Sequence, residues 1–314
     1  MRLVSSLVPL AASYCCWLTG VDAFTNPIKT GSDPQMVYHD GMYYLTSTTW
    51  TDVQITAAST IEGLKTATAK VIWSDTLNPN RACNFWAPEM HKLDGRWHLF
   101  FSASVCNPDW GVVLPTLRVY TLAGGAENPL SADYELLGPI TPPNFTDGML
   151  DATIFDINNT TYFIYSSVHG PQSPAGASLW IAELLSPTTC SNATMIAAPE
   201  FDWEKSDSAV LEGPYGLVSP SGTSYIVYSA DSCNTPAYKL GALRYDPSSG
   251  GGGDPMSPSS PDGTQDWQVF HANLNERDGC GTTRKTFIQP ISWRDDAPDL
   301  GKPLPVGTEI APPS

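Results

Sequence analysis

The sequence contains no long stretch with the 3.6-residue apolar periodicity of an amphipathic helix. Twenty-eight prolines and 25 glycines interrupt its 314 residues. The short runs between them are rich in aromatic and β-branched residues, which favour strands. These features argue against a helical fold and predict an all-β protein.

Positive charge is scarce, because 16 Lys and Arg stand against 32 Asp and Glu, for a net charge of -16. Nucleic acids and anionic membranes are bound through clustered cations, so we expect neither as a partner. The charge balance suits a neutral ligand instead. The sequence also lacks the CxxC and His-rich spacings that indicate a zinc site.

Long apolar runs are missing except at the N-terminus, where residues 3–18 follow Arg2 and precede Val21-Asp22-Ala23. This is the pattern of a secretory signal peptide, and the run is shorter than the ~20 residues that span a bilayer. We therefore predict a signal peptide over residues 1–23 and a secreted, monomeric, extracellular protein over residues 24–314.

Five cysteines follow the predicted signal peptide. Export favours disulfide formation, but five thiols with one left free allow 15 connectivities, and the sequence does not choose among them. The five are Cys83, Cys106, Cys190, Cys233 and Cys280.

One outline recurs four times: an apolar strand, a tight turn, and an aromatic strand that ends near a serine. The turns contain Gly41, Gly95, Asn159 and Gly222, which are 54, 64 and 63 residues apart. This recurrence predicts the four-stranded blades of a β-propeller, with a fifth blade around residues 287–293. A β-sandwich with coincidental hairpins is the alternative. The low-complexity run at 246–264 predicts a flexible surface loop, and no second domain is indicated.

An acidic residue precedes the first strand of each repeat: Asp33, Glu89, Asp151 and Glu212. The innermost strands of propeller blades line a central axis, so we expect these residues, at one phase of the repeat, to share a pocket. Glycosidic cleavage needs an ionised carboxylate to activate water and a protonated one to donate to the leaving oxygen. A third acidic group nearby raises the pKa of the donor.

The segments that contain these acids resemble those of glycoside hydrolase family 43. They are Ser32-Asp33-Pro34, Phe85-Trp86-Ala87-Pro88-Glu89, Leu150-Asp151-Ala152 and Leu211-Glu212-Gly213-Pro214. The resemblance implies a five-bladed propeller and an inverting hydrolase that requires no cofactor. It implies that Asp33 is the general base, that Asp151 tunes pKa and orients substrate, and that Glu212 is the general acid. Glu89 matches a residue that the family uses structurally.

Other candidate site residues surround these motifs. His271 resembles a histidine that the family places in the central channel, where it holds water or, through water, a calcium or sodium ion; a hydrogen-bonded core histidine is the alternative. Arg284 is a candidate ligand of sugar hydroxyls or a surface ion-pair residue. Trp50, Trp86 and Tyr215 are candidate sugar-stacking residues, with packing between blades as the alternative.

The finer resemblance is to the exo-acting α-1,5-L-arabinofuranosidase branch, through Gly279-Cys280-Gly281 and Arg284-Lys285-Thr286-Phe287. It implies release of L-arabinose from plant cell-wall arabinan or arabino-oligosaccharides. Three alternatives stay open: an endo-arabinanase, a β-xylosidase of the same family, and a non-catalytic sugar-binding propeller.

Overall fold

The computed structural model describes residues 23–168, 170–172, 176–245, 265–275 and 278–313, and strands dominate their regular structure. Residues 1–22 of the predicted signal peptide and the predicted loop at 246–264 lie outside these ranges. The short helical segments are α1 (Ile61–Leu64), α2 (Trp110–Val113) and two 3-10 turns, Leu114–Thr116 and Asp202–Glu204. The strands are β1 (Phe24–Thr25), β2 (Lys29–Thr30), β3 (Ser32–His39), β4 (Met42–Thr48), β5 (Val53–Ala58), β6 (Lys70–Trp73), β7 (Cys83–Leu93), β8 (Arg96–Ser104), β9 (Arg118–Ala123), β10 (Glu135–Ile140), β11 (Met149–Ile157), β12 (Thr160–Ser167), β13 (Leu179–Ser186), β14 (Thr189–Cys190), β15 (Thr194–Ala197), β16 (Leu211–Val218), β17 (Ser224–Ala230), β18 (Lys239–Arg244), β19 (Trp267–Ala272), β20 (Lys285–Pro290), β21 (Ser292–Arg294), β22 (Ala297–Asp299) and β23 (Glu309–Ile310).

Five antiparallel sheets form the blades of a β-propeller, which confirms the predicted fold. In strand order, the blades are β3-β4-β5-β6, β10-β9-β8-β7, β11-β12-β13 with β14 and β15 beside β13, β16-β17-β18, and β19-β20-β2. The first strands of the blades contact one another around the central axis: β3 lies against β7 and β19, and β11 lies against β7 and β16. Residues at the start of these strands therefore converge.

The predicted hairpins are present, and their turns have the left-handed backbone that tight turns require. Asp40 and Gly41 have φ values of 49° and 77°, and Asn158 and Asn159 have values of 56° and 59°. Within the described residues, blades four and five have three strands rather than the predicted four. The fifth blade also starts earlier than predicted, because its inner strand is β19. Its ladder ends at Pro290, which lacks a backbone N–H, and β21 pairs with β22 outside the blade.

The two ends of the described chain close the ring. β2 completes the fifth blade by pairing with β20, and β1 pairs with β23. The side chain of Asn26 extends this pairing, because its Nδ2 donates to the Ile288 carbonyl at 2.7 Å and its Oδ1 accepts from the Ile288 N–H at 2.9 Å. Blade five is thereby assembled from segments more than 250 residues apart in sequence.

Apolar side chains fill the space between adjacent blades. Trp73 of the first blade packs against the buried Phe101 of the second, with ring centroids 5.3 Å apart. Between blades three and four, a Cβ on Gly216 would lie 1.8 Å from the Phe155 ring, so only glycine lets these blades approach so closely. Within the described residues, no helix is long and apolar enough to cross a membrane.

Two disulfides resolve the connectivity that the sequence leaves open. Cys83 is bonded to Cys106, and Cys233 is bonded to Cys280. Cys190 is a free, buried thiol in the core of the third blade.

Candidate active site

The inner strands of the first four blades share a β-bulge near their start. In each strand, two residues oppose a single residue of the neighbouring strand, which redirects the side chains. The first residue of each bulge has a left-handed φ, between 42° and 60°. The bulged pairs are Asp33-Pro34, Ala87-Pro88, Asp151-Ala152 and Gly213-Pro214.

The bulges correct one prediction, because the four acids do not share one phase of the repeat. Asp33 and Asp151 occupy the same bulge position, but Glu212 lies one residue before the bulge of its strand, and Glu89 lies immediately after its own. A bulge changes which residues face the axis, so acids at different phases still reach the channel. Glu89 lines the same cavity as Asp33 and Asp151, and its carboxylate is paired with His91, at 2.8 Å between Oε2 and Nε2.

Asp33 is held by three side chains from three different strands or loops. Thr48 Oγ1 donates to Asp33 Oδ2 at 2.5 Å and accepts from the Ala87 N–H at 2.8 Å. Arg284 donates to Asp33 Oδ1 at 3.4 Å, and His271 Nδ1 lies 3.3 Å from the same oxygen. Burial alone would raise the pKa of Asp33, but contacts with His271, the charge of Arg284 and the Thr48 hydroxyl outweigh it and hold this pKa well below its usual range.

The other two carboxyl groups show the opposite behaviour. Burial raises the pKa of Asp151 well above its usual value, and the charges of Glu212 and Asp33 raise it further. Burial also raises the pKa of Glu212, against the hydrogen bond that Tyr238 donates to its Oε1 at 2.8 Å. Because each negative charge disfavours another nearby, a proton is retained in this pair under conditions where Asp33 is ionised.

These groups meet at one large cavity. Its volume is about 940 Å³, within the usual range for sites that bind small ligands. Glu212 adjoins it through Tyr238 and the neighbouring Gly213. The lining includes Asp33, Glu89, Asp151, Gly213, Tyr215, Tyr238, His271 and Arg284.

The surroundings of His271 do not fit a cation. Its Nδ1 accepts from the backbone N–H of Asp33 at 2.9 Å, and its Nε2 lies 3.1 Å from the guanidinium of Arg284. That positive charge would repel a calcium or sodium ion, which also requires several oxygen ligands. Among the described residues, no three His, Cys, Asp or Glu side chains are grouped to hold a metal.

The predicted aromatic residues lie in two different places. Trp50 and Trp86 pack edge to face with ring centroids 5.4 Å apart, and Trp110 extends this cluster from Trp86 at 5.7 Å, half exposed to solvent. Trp50 has a φ of 75°, which is unusual for a bulky residue and is a conformation found preferentially at functional sites. Tyr215 lines the cavity near Glu89. Burial raises the pKa of Tyr215, and the charge of Glu89 raises it further.

Sequence reasoning missed two residues that contact the acids directly. Thr48 and Tyr238 carry no motif of their own and reach Asp33 and Glu212 only through folding. One signal was present for Thr48: it belongs to a set of hydroxyl residues near the end of each second strand, each paired with the residue before the bulge. Thr48 in the first blade corresponds to Ser102, Ser166 and Ser229 in the next three.

Comparison with known proteins is consistent with this geometry. The sequence profile described as glycosyl hydrolases family 43 matches residues 24–250. The chain is 30% identical over 323 residues to an extracellular exo-α-(1→5)-L-arabinofuranosidase of Streptomyces avermitilis, covering 92% of this chain and 65% of the relative. It is also 30% identical over 338 residues to α-L-arabinofuranosidase 43 of Humicola insolens, covering 96% and 68%. The chain thus spans about two thirds of the length of these curated relatives.

A solved structure shows the same architecture over nearly its full length. The crystal structure of an α-L-arabinofuranosidase from Lactobacillus brevis aligns with a TM-score of 0.79 at 28% identity, covering 91% of this chain and 98% of that one. With the family profile matching well over half of its residues, the chain belongs to glycosyl hydrolases family 43.

Proposed function

We propose that this chain is an inverting glycoside hydrolase that releases L-arabinose from the ends of α-1,5-linked arabinan or arabino-oligosaccharides. The observation that carries this proposal is geometric: Asp33, with both carboxylate oxygens held by hydrogen bonds, lines a cavity that Glu212 adjoins through its hydrogen bond to Tyr238. The pKa of Asp33 is lowered and that of Glu212 is raised, which is the division of states that acid–base hydrolysis requires.

Asp33 is the general base in this proposal. Its lowered pKa keeps it ionised, and Thr48 and Arg284 fix both of its carboxylate oxygens. An ionised, oriented carboxylate can take a proton from a water molecule that attacks the anomeric carbon. Inversion requires about 6.5–9.5 Å between base and acid so that this water fits between them.

Glu212 is the general acid, and Asp151 supports it. Burial favours the protonated form of Glu212, which can donate to the leaving oxygen. Asp151 is half-buried, and desolvation together with the charge of Glu212 raises its pKa, so it also tends to keep a proton. A neutral Asp151 carboxyl can donate a hydrogen bond to a sugar hydroxyl, so we assign it the orienting role. No step of this chemistry uses a cofactor.

The sugar is assigned from the family and from the relatives of this chain. Family membership points to a carbohydrate, and two relatives that are 30% identical are named as α-L-arabinofuranosidases. We assign sugar stacking to Trp50 and Trp86, which pack against each other outside the lining of the cavity, and hydroxyl binding to the charged Arg284, which is part of that lining. Secretion is part of the proposal, because the described chain holds two disulfides and the Streptomyces avermitilis relative is named extracellular.

Product analysis tests the proposal. The protein is incubated with linear arabinan, branched arabinan and xylan, and products are separated by chromatography over time. Arabinose as the sole early product supports exo-action on arabinan. Arabino-oligosaccharides as early products indicate endo-action, xylose rejects the arabinan assignment, and binding without any product indicates a non-catalytic sugar-binding propeller.

A further inference from the structure

Tyr238 contacts both sides of the candidate site. Its hydroxyl donates to Glu212 Oε1 at 2.8 Å. Its ring lies parallel to the imidazole of His271, with an interplanar angle of 7° and centroids 6.2 Å apart. His271 in turn accepts from the backbone N–H of Asp33. Tyr238 therefore contacts Glu212 through its hydroxyl. Its ring lies against His271, which in turn contacts Asp33.

The geometry gives the Tyr238 hydroxyl one direction. A phenol has a single proton, and the Tyr238 hydroxyl donates it to Oε1 of Glu212. Oε1 of Glu212 is thus occupied as an acceptor, and a carboxyl proton on Oε1 would oppose the phenol proton.

We propose that Tyr238 is a positioning residue for the general acid: its hydroxyl, hydrogen-bonded to Oε1, keeps the transferable proton on Glu212 Oε2 and stabilises the carboxylate that remains after transfer. The inference rests on the proposed function, in which Glu212 is the acid. In the reaction, the Oε2 proton moves to the glycosidic oxygen as the bond from that oxygen to the anomeric carbon breaks. Water attacks that carbon from the opposite face and gives its proton to Asp33.

The loop that carries Tyr238 is built to hold it still. The buried carboxylate of Asp231 accepts backbone N–H groups from residues 206, 207, 208 and 232 and the hydroxyl of Ser206. The Cys233–Cys280 disulfide then fastens this loop to the segment that leads to Arg284. The Asp231 hydrogen bonds and the Cys233–Cys280 disulfide both restrain the loop that carries Tyr238. A restrained loop suits a residue that orients the Glu212 carboxyl.

The pKa of Glu212 depends on the charged and titratable groups that face it. They are Tyr238 from the loop before β18, Asp33 from β3, His271 from β19, Arg284 from the segment before β20, and Asp151 from β11. The Tyr238 hydrogen bond lowers the pKa of Glu212. Its removal therefore raises that pKa, while the other four groups stay in place.

The test variant is Tyr238→Phe, which removes only the hydroxyl. On arabino-oligosaccharides, kcat should fall about 10- to 100-fold, as expected for loss of a hydrogen bond to a charged group. On a dinitrophenyl arabinofuranoside, whose leaving group needs little protonation, kcat should change less than about 3-fold. The alkaline limb of the kcat/KM profile should move to higher pH.

Two further variants keep the test decisive. Tyr225→Phe, which removes a phenol of the same blade that donates to the Asp296 carbonyl at 2.9 Å, should leave the profile unchanged. An equal loss on both substrates with an unmoved limb, in folded Tyr238→Phe, would overturn the inference. Full activity of Glu212→Gln on oligosaccharides would instead refute the proposed acid, whatever Tyr238 does.

Discussion

Asp33 and Asp151 occupy the same position of the same β-bulge, two blades apart, with φ values of 50° and 51°. Aspartate accepts this left-handed backbone better than most residues do. The same β-bulge therefore directs the carboxylates of Asp33 and Asp151 into one channel. Glu212 lies one residue before the equivalent Gly213-Pro214 bulge of the fourth blade and also faces the channel.

The first prediction separates the chemical role of Asp33 from its backbone role. Asp33→Asn and Asp33→Ala should both lose activity by about 10²-fold or more, because neither can act as a base. Asp33→Ala should also be less stable than Asp33→Asn by about 1 kcal/mol, because alanine tolerates positive φ poorly. Thermal unfolding and kcat/KM measure the two effects.

The stability comparison is controlled for charge. The pKa of Asp33 is lowered by folding, so its ionised form stabilises the fold above the unfolded value near 3.8, and this stabilisation is lost as pH falls. Both variants lose that term equally. The same pair of substitutions at Asp40, which has a φ of 49° in an exposed hairpin turn, should reproduce the stability difference with full activity. Equal stability of the two Asp33 variants would contradict the backbone argument.

The second prediction concerns leaving-group dependence. Glu212→Gln cannot donate a proton, so hydrolysis of arabino-oligosaccharides should fall about 10²- to 10⁴-fold. A dinitrophenyl arabinofuranoside should retain most of its rate. Glu89→Gln is the matched control, since Glu89 lines the same cavity but is paired with His91. The same leaving-group dependence in Glu89→Gln, and not in Glu212→Gln, would reassign the acid.

The third prediction concerns pH. The charge of Arg284 lowers the pKa values of Asp33 and Glu212, so Arg284→Met should raise both. The whole kcat/KM profile should therefore move to higher pH, the acidic limb included. Arg294→Met, which removes an exposed ion pair with Asp299, should leave the profile in place. An unmoved acidic limb in Arg284→Met would show that Arg284 does not set the charge state of Asp33.

The fourth prediction concerns the tryptophan cluster. Trp86→Ala should weaken binding of an arabino-oligosaccharide about 3- to 10-fold or more, because the stacking face is lost. Trp86→Phe should recover part of this affinity. Calorimetric titration in a Glu212→Gln background measures binding without turnover. Unchanged affinity in Trp86→Ala would mean that the indole only packs between Trp50 and Trp110.

The fold was predictable because its signals are local. Each hairpin is encoded by a turn such as Asp40-Gly41 between alternating apolar runs, and the recurrence of these hairpins implies blades. Convergence of Asp33, Asp151 and Glu212 followed from the repeat order. The bulge offsets did not, because a bulge adds a residue without changing the apolar pattern.

The partners of the acids were not predictable from local sequence. The Tyr238–Glu212 hydrogen bond joins residues 26 apart, and the Arg284–Asp33 contact joins residues 251 apart. Such contacts depend on how blades four, five and one meet. The closing of blade five by β2 and the choice of disulfide partners arise from the same long-range geometry.

The most direct test of the central claim is proton NMR of an α-linked arabino-oligosaccharide during the first minutes of hydrolysis. The three-carboxylate account predicts that L-arabinose appears first as the β-anomer, from attack by water activated at Asp33, and then equilibrates. First appearance of the α-anomer would show retention and contradict the assigned roles of Asp33 and Glu212.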